Sequence, residues 1–357
     1  MMQGRTVSRR RGALRVDLSI LTLIGLLLFA AIGAGGAALY QQFYSPTAFV
    51  ERYLGLLSSG RAADALRTPG VAVDLSLLEN SGIEPTASEA LLRTAALTTL
   101  TDYEVTSEKQ EDGTYRVAVD YTAGGVEGSS TFSVERNGWI GVVPDWRFAQ
   151  SPLAEIELTV RGSDTFAVNG FALDRRQVSS HGADAAPLDP LHLLVFTPGL
   201  YSVTVDTAIS ATPGVSVLAD TAMARTPVHV QALPTEKFTE VVQERVDEFL
   251  AQCAEQQVLL PTACPFGLEV QNRLAPDSLP KWSIATQPKV TIQPDGANWA
   301  IPAVDAVAHI EAKIQSLFDG SVRDFSEDVP FQVNGTITIL ADGSASIRVG
   351  SPDADDD

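Results

Sequence analysis

The chain has 357 residues, with 25 Lys and Arg against 44 Asp and Glu, a net charge of −19 and two cysteines. Residues 1–17 contribute +4 through five arginines and Asp17, which leaves −23 for the remainder; so negative a surface repels polyanions and excludes nucleic acid as a partner. A 45% hydrophobic content excludes a disordered stalk, and about 300 residues beyond the N-terminal segment suffice for two or three domains.

From Leu18 to Tyr40 no residue is charged. At a 1.5 Å rise per residue this run reaches about 34 Å, enough to cross a hydrocarbon core of about 30 Å. Arg5, Arg9, Arg10, Arg11 and Arg15 precede it, so the positive-inside rule keeps residues 1–17 in the cytoplasm and sends everything after residue 40 out of the cell. A cleaved signal is the competing reading, since AIGAGGAAL offers small residues to a peptidase, but signal h-regions run about 7 to 15 residues and this one is longer. Lipidation at the end of the run is excluded because the two cysteines are Cys253 and Cys264. The expectation is a retained single-pass signal-anchor in the plasma membrane. Ala30, Ala34 and Ala38 recur every four residues and are candidate helix-packing positions, although ordinary membrane-helix composition explains them as well.

Beyond the anchor, Ser45 as N-cap and Pro46 at the first helical position open an amphipathic helix with Phe49, Val50, Tyr53, Leu54 and Leu57 on one face. Residues 88–100 (SEALLRTAALTTL) are fair helix formers and predict a further helix. The period then changes to two: residues 103–150 alternate apolar and polar positions, with Asp112-Gly113 and Asn137-Gly138 read as turns. Helices followed by an antiparallel meander make an α+β domain over residues 45–150. Residues 151–233 are strand-length and turn-rich with no helical period, a small all-β domain.

Residues 234–350 start again with a helix, in which Phe238, Val241, Val242, Arg245, Val246, Phe249 and Leu250 recur at three and four. The two cysteines, alone in an oxidising compartment, predict one disulfide between Cys253 and Cys264, which ties the helix end to the following turn and contributes about 3 kcal/mol. Strands broken at Asp295-Gly296, Asp319-Gly320 and Asp342-Gly343 follow. Residues 304–317 fit either a helix or a strand; alternation of Ala306, Ala308, Ile310, Ala312 and Ile314 favours the strand. Asn334-Gly335-Thr336 reads as a hairpin turn rather than a glycosylation acceptor. The acidic tail, 351–357, is expected to be disordered.

The order of basic N-terminus, apolar run, FVERYLGLLSSGRAADAL and meander resembles the nuclear-transport-factor-like (cystatin-type) α+β modules found outside bacterial membranes. The stretch ELTVRGSDTFAVNG with FTPGLYSVTV is similar to the small β-domains of teicoplanin-resistance-associated membrane proteins, and CPFGLEVQNRL to WSIATQPKVTI is similar to the C-terminal region of anchored actinobacterial proteins. The resemblance implies a Gram-positive cell-envelope protein. The chain departs from the teicoplanin-associated group in lacking a cysteine-rich zinc ribbon before the anchor.

Catalytic motifs do not stand out. GxSxG, HExxH, GxxxxGK[ST] and SxxK are absent from a fitting context, and His181, His192, His229 and His309 lie far apart. No cofactor and no metal site is expected. Trp139 and Trp146 are candidate pocket-lining residues in the first domain, or else close its core. The expected function is non-enzymatic binding or assembly in the envelope, with the membrane and a wall polymer, peptide or envelope protein as partners. The alternatives are a ligand-binding or catalytic pocket in the first domain, and stress or antibiotic signalling through a membrane partner.

Overall fold

The computed structural model describes residues 23–26, 40, 42–72, 82–141, 143–276 and 278–350. Residues 23–26, 40 and 42–44 are helical, and no helix among the described residues is long and apolar enough to cross a membrane. Residues 1–17, Leu18, Ala30, Ala34, Ala38 and the tail 351–357 lie outside the described residues. The chain is a strand-rich α+β protein.

Helix α1 (Pro46–Ser58) is capped by Ser45, whose Oγ accepts from the Ala48 amide at 3.1 Å. It buries Phe49, Val50, Tyr53, Leu54 and Leu57, and a short α2 (Ala62–Leu66) follows. These pack on an antiparallel sheet of β1 (Leu100–Glu111), β2 (Thr114–Ala123), β3 (Val126–Ile140) and β4 (Val143–Phe148), in that order. Tyr53 and Phe148 sit at 5.1 Å between centroids and Phe132 lies 5.9 Å from Phe148, so aromatic rings fill the space between helix and sheet.

Two local readings of this region are corrected. Asn137-Gly138 is not a hairpin turn: β3 runs through it as a bulge, with the register shifting between Arg136 and Gly138, and the hairpin closes at the Ile140–Val143 pair. Residues 88–100 are not a helix beyond one 3₁₀ turn at Thr94–Ala96. The Ser88 backbone instead pairs with a strand edge, its N–H donating to His192 O at 2.7 Å and its carbonyl accepting from Leu194 N at 2.9 Å. Leu91 then packs in the second apolar cluster and Leu92 in the first, a division that satisfies two cores.

The next region holds two sheets that share one apolar core. One has the order β12-β10-β9-β6-β7 and the other β11-β5-β8, built from β5 (Leu153–Arg161), β6 (Thr165–Val168), β7 (Phe171–Asp174), β8 (Leu191–Phe196), β9 (Gly199–Asp206), β10 (Ser210–Ala219), β11 (Arg225–Gln231) and β12 (Leu233–Pro234). It is not purely β. A one-turn helix, α3 (Arg175–Val178), is capped by Asp174 through the Arg176 amide at 2.8 Å, and a 3₁₀ turn spans Gly182–Asp184. The buried Arg175 holds this loop by donating to the carbonyls of Val160, Ala186 and Asp189.

Helix α4 (Glu236–Ala254) buries Phe238, Val242, Val246, Leu250 and Cys253, and Cys253 is disulfide-bonded to Cys264 with a Cα separation of 5.7 Å. It covers a sheet in which β16 (Asn298–Gln315) pairs with β13 (Arg273–Leu274), β14 (Lys281–Thr286), β15 (Gln293–Asp295) and β17 (Val322–Ile339); β18 (Ala345–Gly350) completes it. Residues 304–315 thus belong to a strand, with Ala306, Ala308, Ile310, Ala312 and Ile314 buried. The Asn334-Gly335 turn is a correction, since both residues lie inside β17. Gly335 stands there because a Cβ would sit 2.5 Å from the Arg348 carbonyl oxygen on β18.

Candidate functional site: an aromatic groove on the first sheet

The core face of the first sheet continues past the end of α1. Along β2 the buried Tyr121, Val119 and Val117 lead to Tyr115, and along β3 Phe132 and Val134 lead to Arg136. Residues three apart in a regular strand point to opposite faces. The bulge at 137 cancels that rule: Arg136 opposes Trp146 and Trp139 opposes Pro144, so Arg136 and Trp139 share the face of Trp146.

Trp146 is nearly buried, its Nε1–H donating to Tyr44 O at 2.8 Å, and it meets Tyr115 edge-on at 5.2 Å. Trp139 is 57% exposed, and the Arg136 guanidinium lies 5.1 Å from its ring centroid. Tyr40 and Tyr44, which also line the groove, pack at 5.4 Å with their rings tilted by 47°. The carboxylates of Glu51 and Glu108 complete an open groove of about 660 Å³, and Glu108 accepts from Thr47 Oγ1 at 2.6 Å. Both sequence-predicted tryptophans therefore line one groove, Trp146 from the edge of the first apolar cluster and Trp139 from outside it. Arg136, Tyr115, Tyr44, Glu51 and Glu108 went unread in the sequence; the strand parity broken by the Asn-Gly bulge is the signal that would have joined Arg136 to the tryptophans.

Two polar clusters lie elsewhere. Glu155, fully buried on β5, accepts from His192 Nδ1 at 2.6 Å, Arg225 Nε at 3.0 Å and the Glu84 amide at 2.7 Å. Ligand atoms of Glu155, Glu157 and His192 lie within 4.8 Å of one another, a metal-compatible spacing. Arg225 already bridges both carboxylates, at 3.0 and 3.8 Å, and supplies the positive charge a cation would bring. The cluster is a satisfied internal ion network that ties Glu84 to the second region.

The other cluster is a Ser–His–Asp line that the sequence hides. His309 on β16 holds Asp328 through Nδ1 at 2.6 Å and Ser326 through Nε2 at 3.1 Å. A hydrolase needs more than this line: a sheltered carboxylate and converging N–H donors for an oxyanion. Asp328 is 68% exposed, and His309 is held in the sheet between Ser283 of β14 and Asp328 of β17. The line therefore lacks the surroundings of a catalytic triad. Of the remaining histidines, His181 lies 3.5 Å from Asp189 on the surface and His229 is exposed on β11.

The chain matches no family model, no curated protein and no solved structure.

Proposed function

We propose that this chain is a non-enzymatic binding or assembly protein of a Gram-positive cell envelope, held by a membrane helix at 18–40 with residues 41–350 outside the cell. The five arginines before an uncharged run support that topology, and the Cys253–Cys264 disulfide suits an oxidising exterior. The domains are taken as 45–150, 151–233 and 234–350. A helix cradled by a four-stranded meander supports a nuclear-transport-factor-like first domain, with the middle one akin to the teicoplanin-associated β-domains.

The observation that carries the binding reading is the aromatic groove. Exposed ring faces beside two carboxylates suit an extended polar chain, a wall polymer or peptide, whose apolar faces stack on Trp139 while its hydroxyl or amino groups meet Glu51 and Glu108. Purified full-length protein in detergent should be retained on isolated wall polymer or its cross-linking peptides, and Trp139→Ala should weaken retention about tenfold or more. Equal retention of that variant would remove the groove from the function. Incubation with a fluorophosphonate tests the non-enzymatic claim: Ser326 should stay unlabelled, and an adduct lost in His309→Ala would replace this reading with hydrolysis.

A further inference from the structure

The β3–β4 hairpin ends in residues 138–144, GWIGVVP, without a charged side chain. Trp139 is 57% and Ile140 71% exposed, an apolar tip that remains open to solvent with Arg136 lying over the Trp139 ring. The groove sets this tip beside Tyr40, Gln42 and Tyr44, where the apolar run 18–40 ends. Phe43 and Tyr44 are exposed there too. With residues 42–44 helical, Tyr44 lies about 6 Å past the end of that run at 1.5 Å per residue, within the headgroup layer that adds about 5–7 Å to each side of the hydrocarbon core.

Tryptophan and tyrosine partition to that depth, and Arg136, stacked on Trp139, is placed to reach lipid phosphates. We infer that the Trp139–Ile140 tip enters the outer interface of the bilayer as a second attachment beside the membrane helix, with lipid as its occupant. A second copy of the chain suits the tip less well, because each copy brings −23 charges outside the anchor and repels the other. The inference rests on the anchor reading of 18–40. Its consequence is that the groove opens at the membrane surface, where Trp139 meets lipid while the groove is empty and ligand once it is filled.

The test uses the full chain reconstituted into phosphatidylcholine vesicles brominated near the headgroup end of the acyl chains. Trp146, Trp282 and Trp299 are buried, so contact falls on Trp139; the expected loss is about a quarter of the emission, the share of one tryptophan in four. That loss should vanish in Trp139→Phe and shrink in Ile140→Asp. Protein that floats with vesicles but is not quenched, or quenching that persists in Trp139→Phe, overturns the tip contact and leaves the anchor standing. Protein that fails to float with the vesicles overturns the anchor, and the tip contact with it.

Discussion

Tyr53 is the residue on which the first two regions meet. Its ring packs among Phe132 and Phe148, and its hydroxyl donates to Thr197 O at 2.9 Å and Pro152 O at 3.3 Å. Burial raises its phenol well above the usual tyrosine range, so it stays a neutral donor. Tyr53→Phe keeps the ring and strands the Thr197 carbonyl; chemical denaturation should show a loss of about 1–3 kcal/mol. Asp174 gives a pH-dependent counterpart. The hydrogen bond from Arg176 holds its carboxyl below the usual range, so its contribution is complete above the unfolded carboxylate pKa and is lost as pH falls through the folded value. Asp174→Asn keeps a capping oxygen but not the charge, and should flatten the decline in stability between about pH 4 and pH 2. A variant declining as steeply as the parent would contradict this.

Among the elements, β17 shows how one glycine permits a pairing. A Gly335→Ala side chain would press on the Arg348 carbonyl of β18, and the expected cost in a thermal or denaturant melt is about 1–3 kcal/mol. Helix α1 was legible from its cap and apolar spacing and α4 from apolar spacing alone, because those signals are local. The long β16 was legible from alternation of small apolar residues, because one face of its sheet is buried. Asn137-Gly138 and Asn334-Gly335 misled for one reason: Asn-Gly serves a bulge or a close strand approach as readily as a turn, and the partner strand decides. Residues 88–100 have helix-forming composition, yet a distant strand edge at His192–Leu194 claims the backbone of Ser88 at their start. The site was half legible. Trp139 and Trp146 stand out by type, whereas Arg136 joins them only through the β3–β4 pairing, and Tyr115 and Glu108 only through the folded groove.

At the scale of the molecule, the first two apolar clusters are stitched by specific bonds. Leu153, Leu194 and Phe196 belong to the first cluster although they stand on β5 and β8, and Ser130 Oγ and Thr98 Oγ1 donate to Asp220 O at 2.6 Å and Leu200 O at 3.0 Å. Such joints hold the first region and its groove against the second. The central claim is that the run 18–40 stays in the bilayer and holds this acidic assembly outside. Protease treatment of intact spheroplasts, followed by N-terminal sequencing of the membrane-bound product, tests it most directly. The account predicts an uncut N-terminus in the membrane fraction and loss of everything beyond residue 40 to external protease. A chain beginning just past residue 40 and free in the medium, or one protected until the spheroplasts are lysed, would contradict it.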